Sequence, residues 1–568
     1  MWNRETRPDP GWLNCERTRV AYLASVLLLV AVAVCGPLTL IAQATPRPLA
    51  VPLPPMGWSS WNSFSNTVDS QVIMNQARAM VSSGMRQAGY QYINIDEGWW
   101  LGERDLNGNI VVDPKAWPAI APGERPGDMS NIVRYVHSLG LKAGTYTDAG
   151  RNGCSTVGPD LGPSYPNTGS EGYYQQDFLQ FAKWGFDYVK VDWCGGDREK
   201  LDPAVQYAEI ARAIAAAETI TGHRLYYSIC NWGKNSPWTW APNVGGVMAD
   251  IWRTGGDIVD PIVANTKNSG RRASFKEVLR EFDQAAHPEA QHTGFYNDPD
   301  MMVVGMQGLT DAQNRAHMSL WAMSGGPLVV GADLSKLSDA DIAALTNPDV
   351  LSVDQDALGL QATQVAEFSP GLEVWSKPLS KAGERAVLLL NRGASAAPIS
   401  VRWGDLGLDD SASATVRDLW ARKDLGVFHS PYSASVPTGD AAMLLIVGSE
   451  AKWTTYKAAG SAERSNSRDG IALSRDHPIQ FTNVDSRSHV ALIRIAYINP
   501  GNAPRIAELR VNGGIATRIA FPPTVGAHSW GEISFESELD QRGAKNVLSF
   551  SVSGDLGPTI VSISLQGN

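Results

Sequence analysis

Histidine is scarce in this chain, nine among 568 residues, and no two of them pair on a strand-like segment. Metal-dependent barrel hydrolases hold their ion with clustered histidines, so no metal and no cofactor are expected. Positive charge is short as well: 48 basic against 58 acidic residues leave a net charge of −10. Nucleic acid, which needs a basic surface, is not an expected partner. Cysteine is rarer still, five in all, and Cys15 and Cys35 fall in or before an N-terminal apolar run. Cys154, Cys194 and Cys230 remain, an odd number that leaves one thiol free and the pairing open. A glycine-rich nucleotide loop after the first strand candidate is missing; "GWSSWNSF" stands there instead. Low-complexity linkers are missing too, so the modules are expected to pack together.

Tryptophan, by contrast, is plentiful at 19, and an acidic, tryptophan-rich chain suits sugars, whose rings stack on flat aromatic faces. The length calls for two to four domains, and 43% apolar with 19% charged residues describe a soluble globular protein. At the N-terminus Arg4, Arg7, Arg17 and Arg19 precede an uncharged run from Val20 to Pro46, and Ala42-Gln43-Ala44 supplies a small-x-small cleavage pattern. Residues 1–44 are expected to be a signal peptide or, uncleaved, an N-terminal membrane anchor. The protein is expected to be exported, secreted or periplasmic.

From residue 52 to 355 strand-like and helix-like segments alternate. The strand candidates are Met56–Trp58, Tyr92–Asp96, Ala143–Thr147, Tyr188–Asp192, Tyr226–Cys230, Val247–Arg253, Gly294–Tyr296 and Pro327–Gly331. Alternation of this kind implies parallel strands, and eight units in about 300 residues predict a (β/α)₈ TIM barrel rather than a doubly wound open sheet. Short strands with turns between follow. They predict an antiparallel β-sandwich domain over 362–449 and a second β-sandwich module over 452–568.

Barrel chemistry sits at the C-terminal strand ends, and charged residues collect there. Strand two ends in Asp96 and Glu97, strand three in Tyr146 and Asp148, strand five in Cys230, Asn231 and Trp232. Strand six gives Arg253 and Asp257, strand seven Asp298 and Asp300, and Trp61 follows strand one. In "YVKVDWCGGD" Val189 and Val191 alternate with Lys190 and Asp192, so a lysine and an aspartate share one face of strand four. Taken singly, each aspartate would read as a turn or helix cap. Six such strand ends on one rim leave too many buried charges for a structural role.

Glycoside hydrolysis uses such a rim. A retaining mechanism pairs a nucleophilic carboxylate with a general acid/base about 5–5.5 Å away. Asp192 suits the nucleophile, because Lys190 beside it lowers its pKa. Asp257 follows two glycines, on a loop able to swing over the leaving group, and suits the acid/base.

Together "PPMGWSSWNSF", "INIDEGWW", "YVKVDWC", "SICNWG", "WRTGGD" and "NDPDMMVVG" resemble glycoside hydrolase family 27, the α-galactosidase family. The resemblance runs through "VRDLWARKDLG" and covers about 400 residues. It implies a retaining, metal-independent exo-hydrolase, with Asp192 and Asp257 as the catalytic pair. It also implies substrate contacts at Trp61, Asp96, Tyr146, Lys190, Arg253 and Asp300, with Glu97, Asn231 and Trp232 beside them. A pocket-edge disulfide between Cys154 and Cys194 follows, leaving Cys230 as the free thiol. The final segment resembles a carbohydrate-binding module of family 35 or 6, which implies polysaccharide binding.

Two positions depart from the family pattern: Glu97 replaces a second Asp, and Asn231 stands where α-galactosidases often have Glu. A carboxylate one methylene longer would press on the space of a galactose hydroxymethyl group. The expected activity is α-galactosidase. The alternatives are β-L-arabinopyranosidase, an isomaltodextranase-like glucan hydrolase, and, from another class, a non-catalytic sugar-binding protein.

Overall fold

Eight short apolar segments lie side by side, all parallel, in the computed structural model of the chain. It describes residues 53–154, 167–241, 249–259, 272–291, 294–457, 470–486, 490–501, 504–514, 516–524, 531–539, 543–554 and 556–566. The N-terminal apolar run falls outside these residues. The eight strands are β1 (Met56–Ser59), β2 (Tyr92–Asn94), β3 (Lys142–Asp148), β4 (Tyr188–Asp192), β5 (Tyr226–Cys230), β6 (Ile251–Arg253), β7 (Tyr296–Asp298) and β8 (Leu328–Val330). They pair in the order β8-β1-β2-β3-β4-β5-β6-β7. A parallel bridge between Met302, just beyond β7, and Val330 of β8 brings the two ends together. This is the predicted TIM barrel.

The period of two along each strand sorts its side chains. On β4, Val189 and Val191 enter the main hydrophobic core, while Tyr188, Lys190 and Asp192 take the other face at rising height. Tyr188, Tyr226, Ile251 and Tyr296 form a separate buried cluster with Tyr92, and Tyr188 stacks on Tyr226 at 5.7 Å. This aromatic plug floors the barrel, so charges in the next layers meet the open end rather than a channel.

Helices α1 (Ser70–Ser82), α2 (Ser130–Ser138), α3 (Tyr174–Trp184), α4 (Pro203–Thr221), α5 (Phe275–Gln284), α6 (Asp311–Ser324), α7 (Asp339–Leu345) and α8 (Pro348–Asp354) wrap the sheet. Their starts are locally encoded: Asp202 caps α4 ahead of Pro203, and Thr310 with Gln313 makes a capping box for α6. Several features differ from the sequence expectation, among them β2, which ends at Asn94 rather than Asp96, and β6, which starts at Ile251. A hairpin, Trp100–Arg104 with Ile110–Val112, is inserted between β2 and α2. Among the described residues no long helix follows β5, only a 3₁₀ turn, Pro237–Thr239. And β7 begins two residues later than the candidate, which carries Asp298 into the strand.

Beyond the barrel, Thr363–Ser369, Leu372–Pro378, Glu384–Asn391, Asp440–Val447, Ala414–Asp418 and Lys423–Phe428 form a six-stranded antiparallel sheet backed by a two-stranded one. A third unit, from Trp453 to Gln566, stacks a five-stranded on a four-stranded path. The units share packing. Trp375, Leu388 and Met443 of the second join the barrel's core, and Lys377 donates to the carbonyl of Ala322 at 3.1 Å. Between the second and third, Thr363 donates to Glu536 and Arg385 to Gln566, while Leu360 belongs to the third unit's core.

Candidate active site

The cavity at the barrel mouth is built from the C-terminal ends of the strands. Asp96, Lys190, Cys230, Arg253, Asp298 and Asp300 line it, with Ser59 and Met301. Two cations organise the acids. Lys190 Nζ lies 2.9 Å from Asp96 Oδ2 and 3.7 Å from Asp192 Oδ2. Arg253 reaches Asp300 at 2.9 Å through Nη1 and Asp257 at 3.4 Å through Nη2. Each cation therefore bridges two carboxylates, which is how charges this buried are tolerated.

Asp192 is nearly buried, and its Oδ1 accepts from the main-chain N–H of Trp193 at 2.9 Å. Burial pushes its carboxyl up to about 6 although Lys190 pulls the other way, and the charges of Asp96 and Asp257 add to the rise. The expected lowering by Lys190 is present, but burial outweighs it. Lys190 itself, despite burial, is held well above the usual lysine range by Asp96 and Asp192.

Asp300 sits at φ 80°, a left-handed backbone that non-glycine residues rarely take. Three contacts hold it there: its N–H donates to Asp298 Oδ1, its Oδ2 accepts from the N–H of Ile258, and its carbonyl accepts from Trp321 Nε1. Beneath it, His317 accepts the N–H of Val303 at 3.0 Å, and burial lowers its pKa to about 3, so the ring stays neutral. Nothing in the motif "NDPDM" announces these supports from α6.

Asp257 is the contrast: its side chain is 51% exposed. The two glycines before it serve close packing. A Cβ on Gly255 would stand 2.2 Å from Glu281 Oε2, and one on Gly256 would stand 3.2 Å from Arg280.

Asp192, Asp257 and the remaining predicted residues are not among the residues that line this cavity. Tyr146 is buried, 5.3 Å from Lys190 Nζ to its ring centre. Its hydroxyl meets Cys154 Sγ at 3.4 Å. Cys154 and Cys194 form a disulfide and Cys230 is the buried free thiol. Glu97 is fully buried, its Oε1 so near Gly153 that a Cβ there would come within 2.3 Å. Asn231 donates to the carbonyl of Lys234 and leaves Oδ1 buried without a partner among the described residues. Trp232 has φ 54° and carries Lys234 Nζ 5.3 Å from its ring centre, so one face is already occupied. Trp61 opens the short helix Trp61–Phe64 and is half-buried. Asp148, which the sequence set at the end of β3 without a task, ties two loops: its Oδ1 accepts from the N–H groups of Gly150 and Gly195.

Comparison with known proteins decides the family. A family model described as alpha galactosidase A matches residues 53–356. The chain belongs to glycoside hydrolase family 27, the α-galactosidase family. It is a glycosidase. The alpha galactosidase C-terminal beta sandwich domain matches 369–446, and the CBM13 domain of α-galactosidases matches 479–561. The last match numbers the binding module family 13, where the sequence resemblance gives 35 or 6. An alpha-galactosidase A of Cellvibrio japonicus is 41% identical over 63% of this chain and 81% of its own. A probable alpha-galactosidase of Dictyostelium discoideum is 37% identical over 67% and 88%. Among solved structures, alpha-galactosidase I from Mortierella vinacea superposes with a TM-score of 0.60, at 30% identity over 71% of this chain and 98% of its own.

Proposed function

We propose that this family 27 glycosidase is a retaining exo-α-galactosidase, with Asp192 as nucleophile and Asp257 as acid/base. The observation that carries the reading is the two cation-bridged pairs of carboxylates at the barrel's strand ends, Lys190 between Asp96 and Asp192, and Arg253 between Asp300 and Asp257. In the first step Asp192 attacks the anomeric carbon while Asp257 gives its proton to the departing oxygen. In the second, Asp257 takes a proton from water as that water displaces Asp192. Asp96, Lys190, Arg253 and Asp300 are suited to the sugar's hydroxyls, and the unpartnered Asn231 Oδ1 to one more.

A second reading rests on Glu97. Its fully buried carboxylate is a methylene longer than the aspartate of the family pattern, and that length favours β-L-arabinopyranosides, which lack the C6 group. Kinetics on the p-nitrophenyl glycosides of α-D-galactopyranose and β-L-arabinopyranose separate the two. A higher kcat/KM on galactose upholds the first reading; a clear preference for arabinopyranose replaces it with the second. Export, to the periplasm or outside the cell, is proposed from the apolar run with its Ala42-Gln43-Ala44 site, and the disulfide supports it.

A further inference from the structure

The loop that carries Asp257 is gripped from two sides. From the strand end, Arg253 Nη2 donates to the carbonyl of Gly256 and, at 3.3 Å, to that of Gly255. From the helix layer, Arg280 Nη2 on α5 donates to the carbonyl of Asp257 itself at 2.8 Å. Arg280 is flanked by two carboxyls of its own helix, Glu277 at 2.6 Å and Glu281 at 2.7 Å. Glu281 is fully buried, directly beneath Gly255. Glutamate is almost never buried completely unless paired; the partner of Glu281 is Arg280, and that pairing turns the guanidinium toward the loop.

Asp257 needs such help. With half its side chain in solvent and Arg253 no closer than 3.4 Å, its carboxyl takes its place from the main chain that bears it. That main chain includes two glycines, the residues with most conformational freedom to lose. We propose that Arg280, steadied by Glu277 and Glu281, is a positioning residue for Asp257: by holding that residue's carbonyl it sets where the carboxyl stands over the leaving oxygen. Arg253 cannot serve this purpose alone, because it is committed to Asp300 and lines the cavity; Arg280 lines no part of it.

The inference rests on Asp257 as the acid/base, and the experiment keeps the two apart. Leaving-group dependence reads proton donation directly: a 2,4-dinitrophenolate departs without a proton, whereas methanol does not. The kcat/KM values for the 2,4-dinitrophenyl and methyl glycosides of the preferred sugar are compared in wild type, Asp257→Ala, Arg280→Ala and Arg280→Lys. Asp257→Ala is expected to lose about 10²–10⁴-fold on the methyl glycoside and little on the dinitrophenyl one. Arg280→Ala is expected to show the same split at smaller size, about tenfold against under about twofold, the scale of one lost charge-assisted hydrogen bond. Arg280→Lys is expected to recover part of it. Should Arg280→Ala fail to fold, Glu281→Gln, which preserves shape, is read by the same ratio. Equal losses on both substrates, or none on the methyl glycoside, overturn the positioning role while a split in Asp257→Ala leaves the acid/base standing. No split in Asp257→Ala removes both.

Discussion

The two carboxyl groups proposed to do the chemistry are held by opposite means. Asp192 ends a central strand, nearly buried, with Lys190 two residues before it on the same face and a disulfide two residues after it. Asp257 stands on a loop, half in solvent, fixed through carbonyls that two arginines grip. Strand geometry suits a group that must meet one carbon atom from one direction. A group that must serve both a leaving sugar and an entering water is better left at the solvent boundary, with its backbone fixed and its carboxyl free.

That contrast breaks most sharply at Asp192→Asn. Turnover should fall on the order of 10⁴-fold or more, while binding of polysaccharide to the C-terminal module, measured by affinity electrophoresis, stays as in wild type. Next comes Lys190→Met, which strips the shared cation from Asp96 and Asp192. Leaving two buried carboxylates uncompensated should cost about 3–5 kcal/mol, read as a lower urea midpoint near neutral pH. On the loop side, Gly255→Ala drives a methyl group into Glu281 and Gln284. Displacement of the loop by about an ångström should cost about 10²-fold in kcat/KM with little loss of stability. An equal stability loss in both variants would erase the distinction between the two halves.

The smallest effect is the acid limb of the pH profile. The Asp192 carboxyl is raised to about 6, and only its ionised form attacks, so kcat/KM should fall about tenfold per pH unit below that value. Removing Lys190, which pulls the carboxyl downward, should move the limb to higher pH. A limb that stays put in Lys190→Met would assign it to another group.

Much of the buried half was legible in the sequence. Alternation along Tyr188–Asp192 places Lys190 and Asp192 on one face because a period of two is fixed by strand geometry, and Arg253 ends its strand in the same way, whereas Asp96 and Asp300 lie just beyond theirs. The loop half was not. Asp257 and Arg280 are 23 residues apart, and a helical stripe shows which residues are apolar, not which charged one meets a loop. Likewise the "YVKVD" pattern gives the sign of Lys190's influence on Asp192 but not how much water its burial removes. The hairpin after β2 had its own signal, the Asn-Gly turn at Asn107-Gly108. Among the described residues after β5 the 3₁₀ turn answers to Pro237, which stands at its start.

The third unit is joined to the second by side-chain contacts rather than by a tether. Thr363 on Glu536, Arg385 on Gln566 and Leu360 in the third core bolt it in place. A leashed module lets its enzyme graze wherever the leash reaches. A bolted one works like a caliper, with a single opening: any sugar chain the module held would meet the barrel mouth at one span.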